Sequence, residues 1–474
     1  MSHQRLQSDS QRRLCLSDSK GKMSSSLTKY EGLIEKSTLQ KEMHLPTGKP
    51  GDLNDKRNIL YSVHQRGKQK TLWYKSSWES MVDQNVPTNP ELVTYRSKIF
   101  PYHSLHRSML STVTPEIRAK DGYEIRFCDN LFINMIREFR LFFNDVELQF
   151  GNDKSIYFDL QLRDDWEIMR GEIGNREGLV SWTDVIPKEF IALYLPWCYS
   201  KDKSDAFPLS LCGHNDRLEH IIEFNLKLSE LVLIRKVENE ELVDFDMDLI
   251  EVSGNLDSIP IPEMEGLYTT LTSNECDYVN CIKDETDGRK EYFTSSVYYI
   301  EDENETVFGK KVNLKIDSKK NLPVDSIYWG AINLTETERE KSLILHYMDE
   351  STAFSPIKTT RIESSIGTVL ENKSSHKTER GYAVSQFRNV PQTPGFNLWK
   401  NSVLTVDDPR KFVPGINFSS GSVTMSLQDK NKSSDKYLAF CVLCHQKKFY
   451  FSNFPKTQEE RLHSGATITM VEEN

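Results

Sequence analysis

Apolar and polar positions alternate with a period of two through much of the chain. Tyr123, Ile125 and Phe127 alternate with Glu124, Arg126 and Cys128. Phe139, Leu141 and Phe143 then share one side, an Asn144-Asp145 turn follows, and Val146, Leu148 and Phe150 resume the pattern. Because a strand turns successive side chains to opposite faces, these runs predict a hairpin with one buried face. The same alternation returns at Ile222, Phe224, Leu226 and Leu228, at Val312, Leu314 and Ile316, and at Val423, Met425 and Leu427. Helix-spaced apolar stripes are scarce, and residues 216–220 and 335–341 predict short helices at most. Many short strands between polar turns predict an all-β chain of sandwiches or jelly rolls.

The pattern also divides the chain. Residues 1–60 are polar, rich in Ser and Lys, and carry only a weak helical pattern around Tyr30, Leu33, Ile34 and Leu39. Aromatic residues appear from Trp73 onward, where order is expected to begin. Residues 1–89 read as a basic, largely extended or disordered N-terminal arm. Period-two segments then fill 90–236 and 237–474, with the break placed where acidic Glu238 to Glu241 and the run Ile259-Pro260-Ile261-Pro262 follow one another.

Composition narrows the function classes. The chain has 474 residues, 37% hydrophobic, enough for more than one packed core. No apolar run reaches the ~18 residues of a membrane-spanning helix. The N-terminus lacks a secretory pattern, which predicts synthesis in the cytosol. Eight cysteines are too dilute for a disulfide framework and read as reduced, mostly buried thiols. The net charge of −10 conceals an asymmetry: residues 1–75 hold 15 Lys+Arg against 7 Asp+Glu, a net +8, leaving 45 against 63, or −18, for the rest.

Chemistry-bearing motifs are few. No phosphate-cradling loop, His-Glu-x-x-His or Gly-x-Ser-x-Gly occurs, and no carboxylate pair is singled out, so the chain reads as a non-enzyme without cofactor or metal. Cys441-Val442-Leu443-Cys444-His445 has the spacing of a haem attachment site but lies inside the apolar run from Tyr437 to Cys444, where Cys fills a small apolar slot. A zinc site shared with Cys276 and Cys281 is the weaker alternative. His103 and His106, and His214 and His220 beside Asp216 and Glu219, read as surface or capping histidines. Sequons at Asn304, Asn333, Asn372, Asn417 and Asn431 read as chance in a Ser/Thr/Asn-rich chain.

Three ordered stretches carry a resemblance. The first contains Leu195-Pro196-Trp197, a polar turn, and Phe207-Pro208-Leu209, followed by the alternating strand from Ile221. The second is Pro323-Val324 leading to Trp329, after the apolar strand from Lys311. The third is Pro414-Gly415-Ile416-Asn417-Phe418-Ser419, before the strand at Val423. In order and spacing these resemble the double jelly-roll major capsid proteins of nucleocytoplasmic large DNA viruses over about residues 95–474. The family's Arg-Arg-His-Thr-Asn-Phe-like entry to the first strand is not visible here.

The resemblance implies two tandem eight-stranded jelly rolls and a viral structural protein, a major capsid protein forming pseudo-hexameric trimeric capsomers of an icosahedral shell. It implies a place in the virion capsid after synthesis in the host cytoplasm. The implied partners are the chain itself, as homotrimer and neighbouring capsomers, minor capsid and penton proteins, and an inner membrane or nucleic acid through the basic arm. The alternatives are a minor capsid or assembly-scaffold paralogue and, further off, a carbohydrate-binding β-sandwich.

Overall fold

The structure, a computed structural model, describes residues 73–83, 91–99, 103–163, 165–200, 206–271, 290–302, 306–307, 311–316, 323–333, 357–372, 397–400, 416–427, 436–452 and 467–470. In chain order the first strands are β1 (Trp73–Ser80), β2 (Val82–Asp83), β3 (Leu92–Arg96), β4 (His103–Val113), β5 (Ile117–Ala119), β6 (Tyr123–Phe127), β7 (Ile136–Phe143) and β8 (Val146–Asn152). Then follow β9 (Val185–Ile186), β10 (Phe190–Leu193), β11 (Leu218–Phe224), β12 (Val232–Lys236), β13 (Leu242–Val243), β14 (Ile250–Val252) and β15 (Glu263–Leu271). Short helices α1 (Leu131–Asn134), α2 (Asp153–Gln161), α3 (Trp166–Glu172), α4 (Glu177–Val180) and α5 (Leu228–Leu231) interrupt them.

These strands form a four-stranded sheet, β1-β15-β4-β10, and a five-stranded sheet, β2-β3-β11-β7-β8. Two three-stranded sheets, β13-β12-β6 and β14-β5-β9, flank them. Every named pairing is antiparallel, and β11 shows the expected two-fold alternation, with Leu218, His220, Ile222 and Phe224 buried between half-buried neighbours. The predicted hairpin is β7–β8, pairing Phe143 with Val146 across a turn in which Asn144 takes φ 52°, a left-handed conformation that Asn tolerates better than most residues.

The second body comprises β16 (Lys290–Glu301), β17 (Thr306–Val307), β18 (Lys311–Lys315), β19 (Pro323–Asn333), β20 (Ile357–Ser364), β21 (Gly367–Asn372), β22 (Asn397–Lys400), β23 (Ile416–Asn417), β24 (Ser422–Leu427), β25 (Lys436–Ser452) and β26 (Thr467–Met470). One sheet has the order β16-β25-β19-β22, with β17 and β26 on β25 and β23 on β19; the other is β18-β24-β20-β21. Their facing sides share a core around Trp329, Ile362, Phe418, Val423 and Met425. The Trp329 indole N–H donates across that core to Thr360 Oγ1 at 3.1 Å.

Pairing corrects the expected boundaries. The break between 236 and 237 falls inside the first body, because β13 pairs with β12, β14 with β5, and β15 lies between β1 and β4. β1 and β2 likewise fall within the segment expected to be an arm, and β1 pairs along β15 from Trp73 to Ser80. The stretch where the break was placed instead forms two very short strands, β13, half-buried, and β14, whose Ile250 and Val252 are buried. Residues 218–224, whose start was expected to be helical, are strand β11, and the helix expected over 335–341 lies outside the described residues.

Candidate functional site

What distinguishes the architecture is the seam where the two bodies meet, and β25 builds it. Tyr437, Ala439, Cys441 and Leu443 enter the core of the second body, while Phe440, Val442, Phe449 and Phe451 enter the core cluster of the first. A strand buried on both faces reads as a continuous apolar run, which is why Tyr437 to Cys444 lacks alternation. Burying a large apolar side chain contributes about 1.5–3 kcal/mol, so each of Phe440, Phe449 and Phe451 adds stability of that order to the junction.

The first body meets this sheet with β8 and α2. Asn152 caps α2: its side-chain oxygen accepts from the Ser155 N–H at 3.0 Å while Ser155 Oγ accepts from the Asn152 N–H at 2.9 Å. The helix then lays Phe158 against Tyr328 of β19, ring centroids 4.8 Å apart and 6° from parallel. Further along β25, Phe143, Phe207 and Phe451 form a three-ring cluster with centroids 5.4–5.7 Å apart. Thr294 Oγ1 donates to the Leu148 carbonyl at 2.6 Å, and Ser296 Oγ accepts from the Phe150 N–H at 2.9 Å. These hydroxyls of β16 occupy backbone groups along the outer edge of β8, which would otherwise remain an open sheet edge.

One ion pair is sealed into the seam. Lys154 Nζ lies 3.3 Å from Asp153 Oδ1, 4.7 Å from the centre of the Tyr299 ring and 5.8 Å from that of Phe440. Burial pushes the Asp153 carboxyl above its usual range, against the opposing pull of Lys154. Burial likewise raises the Tyr328 and Tyr299 hydroxyls, so both remain neutral donors.

The motif residues form packing centres. Leu195, Pro196 and Trp197 are buried, and the amide of Gln149 clamps their loop: its nitrogen donates to the Pro196 carbonyl at 3.0 Å and its oxygen accepts from the Cys198 N–H at 2.7 Å. Trp197 meets Phe139 edge-on at 4.9 Å and stacks near Tyr199 at 6.2 Å. Phe207, Pro208 and Leu209 are buried too, with Phe207 bridged to Leu105 of β4. Residues 191–199 therefore mostly fill the core of the first body, while Phe190 is exposed.

The second and third stretches meet. Pro323 pairs with Asn417 and Val324 with Ile416 in one ladder, so two motifs about 90 residues apart in sequence are neighbouring strands. Val324, Trp329 and Phe418 are fully buried, whereas Pro323, Asn417 and Ser419 are half-buried. Asn417 Oδ1 accepts from the Ser419 N–H at 2.8 Å, and Phe418 meets Trp399 edge-on at 5.9 Å. Pro414 and Gly415 lie outside the described residues. The Gln149 clamp and the α2 cap were missed by the sequence reading; the Asn152-x-x-Ser155 spacing was the available signal.

Cys441 and Cys444 belong to opposite sides of β25, Cys441 in the second core and Cys444 against the first, so one ion cannot take both. Burial drives the Cys441 thiol far above its usual range, which disfavours the thiolate a metal requires. Among the described residues no group of three or more His, Cys, Asp or Glu is placed to hold a metal. Cys276 and Cys281 lie outside them. His220 and His106 are not surface residues: both are buried, and His220 Nε2 lies 2.8 Å from the Tyr199 hydroxyl.

No protein-family model and no curated protein matches the chain. Solved structures do. PBCV-1 VP54, fitted into a cryo-EM reconstruction of the virophage Sputnik, aligns with a TM-score of 0.57 at 9% identity, over 86% of this chain and 100% of that one. The Faustovirus major capsid protein aligns with a TM-score of 0.56 at 8% identity, over 91% of this chain and 99% of that one. The Sputnik virophage structure at 3.5 Å gives 0.52 at 9% identity, covering 86% and 92%. Because these alignments run through both sandwiches and the seam between them, the fold of this chain is the double jelly roll that its three sequence stretches resemble.

Proposed function

We propose that the protein is a viral capsid subunit whose two jelly rolls act as one rigid building block, assembled as homotrimers that tile an icosahedral shell. The observation that carries the reading is the alignment with the Faustovirus major capsid protein, over 91% of this chain and 99% of that one. The seam supports it: β25 is shared by both cores, so the bodies are fixed side by side, and a three-fold ring of such pairs presents six similar lobes to six neighbours. Closed cyclic symmetry needs one heterologous interface used three times.

Copy number in the particle separates a major from a minor subunit. The test is the mass of the purified protein by light scattering with negative-stain images. Three-fold rings with six lobes are expected, and these rings should join into sheets or shells as concentration rises. A 55 kDa monomer at all accessible concentrations would overturn the reading. Purified virions in which this chain is a few copies per particle would assign it instead to a minor position.

A further inference from the structure

Val237 and Met247 are large apolar side chains left 52% and 42% exposed. Both flank the turn between β5 and β6. The Val237 N–H donates to the Gly122 carbonyl at 3.0 Å, and the Leu249 carbonyl, two residues beyond Met247, accepts from the Lys120 N–H at 2.9 Å. Between these anchors the chain bonds to itself. The Lys236 N–H donates to the Glu241 carbonyl, Arg235 pairs with Leu242 across β12 and β13, and the Asp246 carboxylate accepts from the Asp248 N–H at 2.8 Å. Residues 236–249 therefore form a tongue with a set backbone, so docking on it orders little.

The charge of the tongue is one-sided. Glu238, Glu240, Glu241, Asp244, Asp246 and Asp248 are all exposed, against Lys236 alone, a net −5. Nearby bases do not restore the balance: Arg235 is held 2.7 Å from Glu124, with Glu240 at 3.8 Å, and exposed Lys120 is followed by exposed Asp121. A second copy of the same tongue brings the same sign and is repelled. A simple cation answers the charge but leaves Val237 and Met247 in water. The partner that fits carries positive charge and apolar side chains together.

The chain holds a segment of that composition. Residues 56–70 contain Lys56, Arg57, Arg66, Lys68 and Lys70 and no acid, a net +5, with Ile59, Tyr61 and Val63 alternating among them. The start of β1 decides whose tongue they meet. Trp73 pairs with Leu271, whose neighbour Thr270 pairs with His103 at the beginning of β4. The tongue lies past the other end of β4, where the β4–β10 ladder runs on through Thr114 and Glu189 into β5 and β9. The eleven residues of β4 span about 33 Å at ~3.3 Å each. Lys70, Lys68 and Arg66 stand within seven residues of Trp73 and reach at most about 25 Å from it. These three bases cannot touch the tongue of their own copy.

We infer that residues 56–70 dock on the 236–249 tongue of a neighbouring copy, their bases meeting its carboxylates while Ile59, Tyr61 and Val63 supply the cover for Val237 and Met247. This rests on the shell reading and names the surface that its basic segment joins.

The test uses the full chain. With a photo-crosslinker at position 69 in mixed 14N and 15N copies, crosslinks should join light to heavy chains and land within 236–249. Glu238 and Asp244 take no part in the bonds described above. Reversing them, as Glu238→Lys with Asp244→Lys, should raise the concentration needed for self-association about tenfold at low salt, with an unchanged melting temperature. Arg66→Glu with Lys68→Glu should do the same, and all four substitutions together should restore association. Unchanged association in either reversed pair, no recovery in the combination, or crosslinks that miss 236–249 or stay within one copy overturn the docking while the shell reading stands. A wild type that never associates overturns both.

Discussion

Phe158 and Tyr328 stand face to face across the junction of the two jelly rolls, 4.8 Å between ring centres and 6° between planes. One belongs to a helix of the first body and the other to the central sheet of the second, and both are buried. Truncating either leaves a cavity in the shared core, so Phe158→Ala should cost about 3–5 kcal/mol. Because the stack joins two cores, calorimetry should also show the single unfolding transition separating into two. A variant that loses stability but unfolds in one transition would place the coupling elsewhere along β25.

Acid should destabilise the fold through two buried histidines. Burial lowers His220 to about 3 and His445 to about 4, against 6.5 for an unburied imidazole. The unfolded chain therefore binds protons that the folded chain refuses, and stability present above pH 6.5 falls as pH drops toward 4. Each histidine contributes a slope of about 1.4 kcal/mol per pH unit within that window. The melting temperature should decline from pH 6.5 to 4, and His220→Gln should make the decline shallower by one proton. An unchanged slope in that variant would show that His220 titrates normally.

Much of this was legible beforehand. The β7–β8 hairpin, β11, β18 and β24 each bury one face, and period two survives wherever one face meets solvent. It fails in β25, buried on both faces, and in β13 and β14, only two and three residues long. Helix α2 was missed because Ile156, Tyr157, Phe158 and Leu160 are all buried, leaving no polar stripe to reveal the 3.6-residue period. The aromatic and proline content of residues 190–199 says that the segment needs cover, and only Gln149 and Phe139 disclose that the cover is internal.

Gly421 should resist any side chain. A Cβ there would collide with the Glu363 carbonyl oxygen and come within 2.8 Å of Phe418 Cδ1, both fixed in the second core. Gly421→Ala should cost about 1–3 kcal/mol by overpacking. Gly178, in α4, offers the contrast: a Cβ there meets only Pro187 at an ordinary 3.6 Å. Gly178→Ala should be neutral or stabilise by about 0.4–1 kcal/mol. Chemical denaturation of the pair measures both, and equal effects would contradict the packing at Gly421.

The Cys441 and Cys444 thiols should behave as packing groups. Replacing both with Ala should cost about 1–2 kcal/mol per site, and a chelator should leave the wild-type melting temperature unchanged. Stoichiometric zinc by elemental analysis, lost in the double variant, would require the two sulfurs to reach one side of β25, which their placement in separate cores opposes.

The basic N-terminal segment should matter for assembly and not for folding. It carries +8 over residues 1–75, while the remainder carries −18, so in the proposed shell it should be attracted to the acidic surfaces of neighbouring copies. Attraction between exposed charges weakens as salt shortens the screening length to ~10 Å at 0.1 M. The structure sets where a truncation must stop: β1 begins at Trp73 and pairs with β15, so a chain starting at residue 76 would lose part of a sheet strand along with the arm. A chain starting at residue 70 keeps β1 whole. It should retain the wild-type melting temperature and form the same small oligomer, yet assemble poorly into larger shells, and wild-type assembly should decline with ionic strength. If the shortened chain assembles as well as the full one and salt has no effect, the arm's charge plays no part in assembly and the shell is held by contacts within residues 70–474 alone.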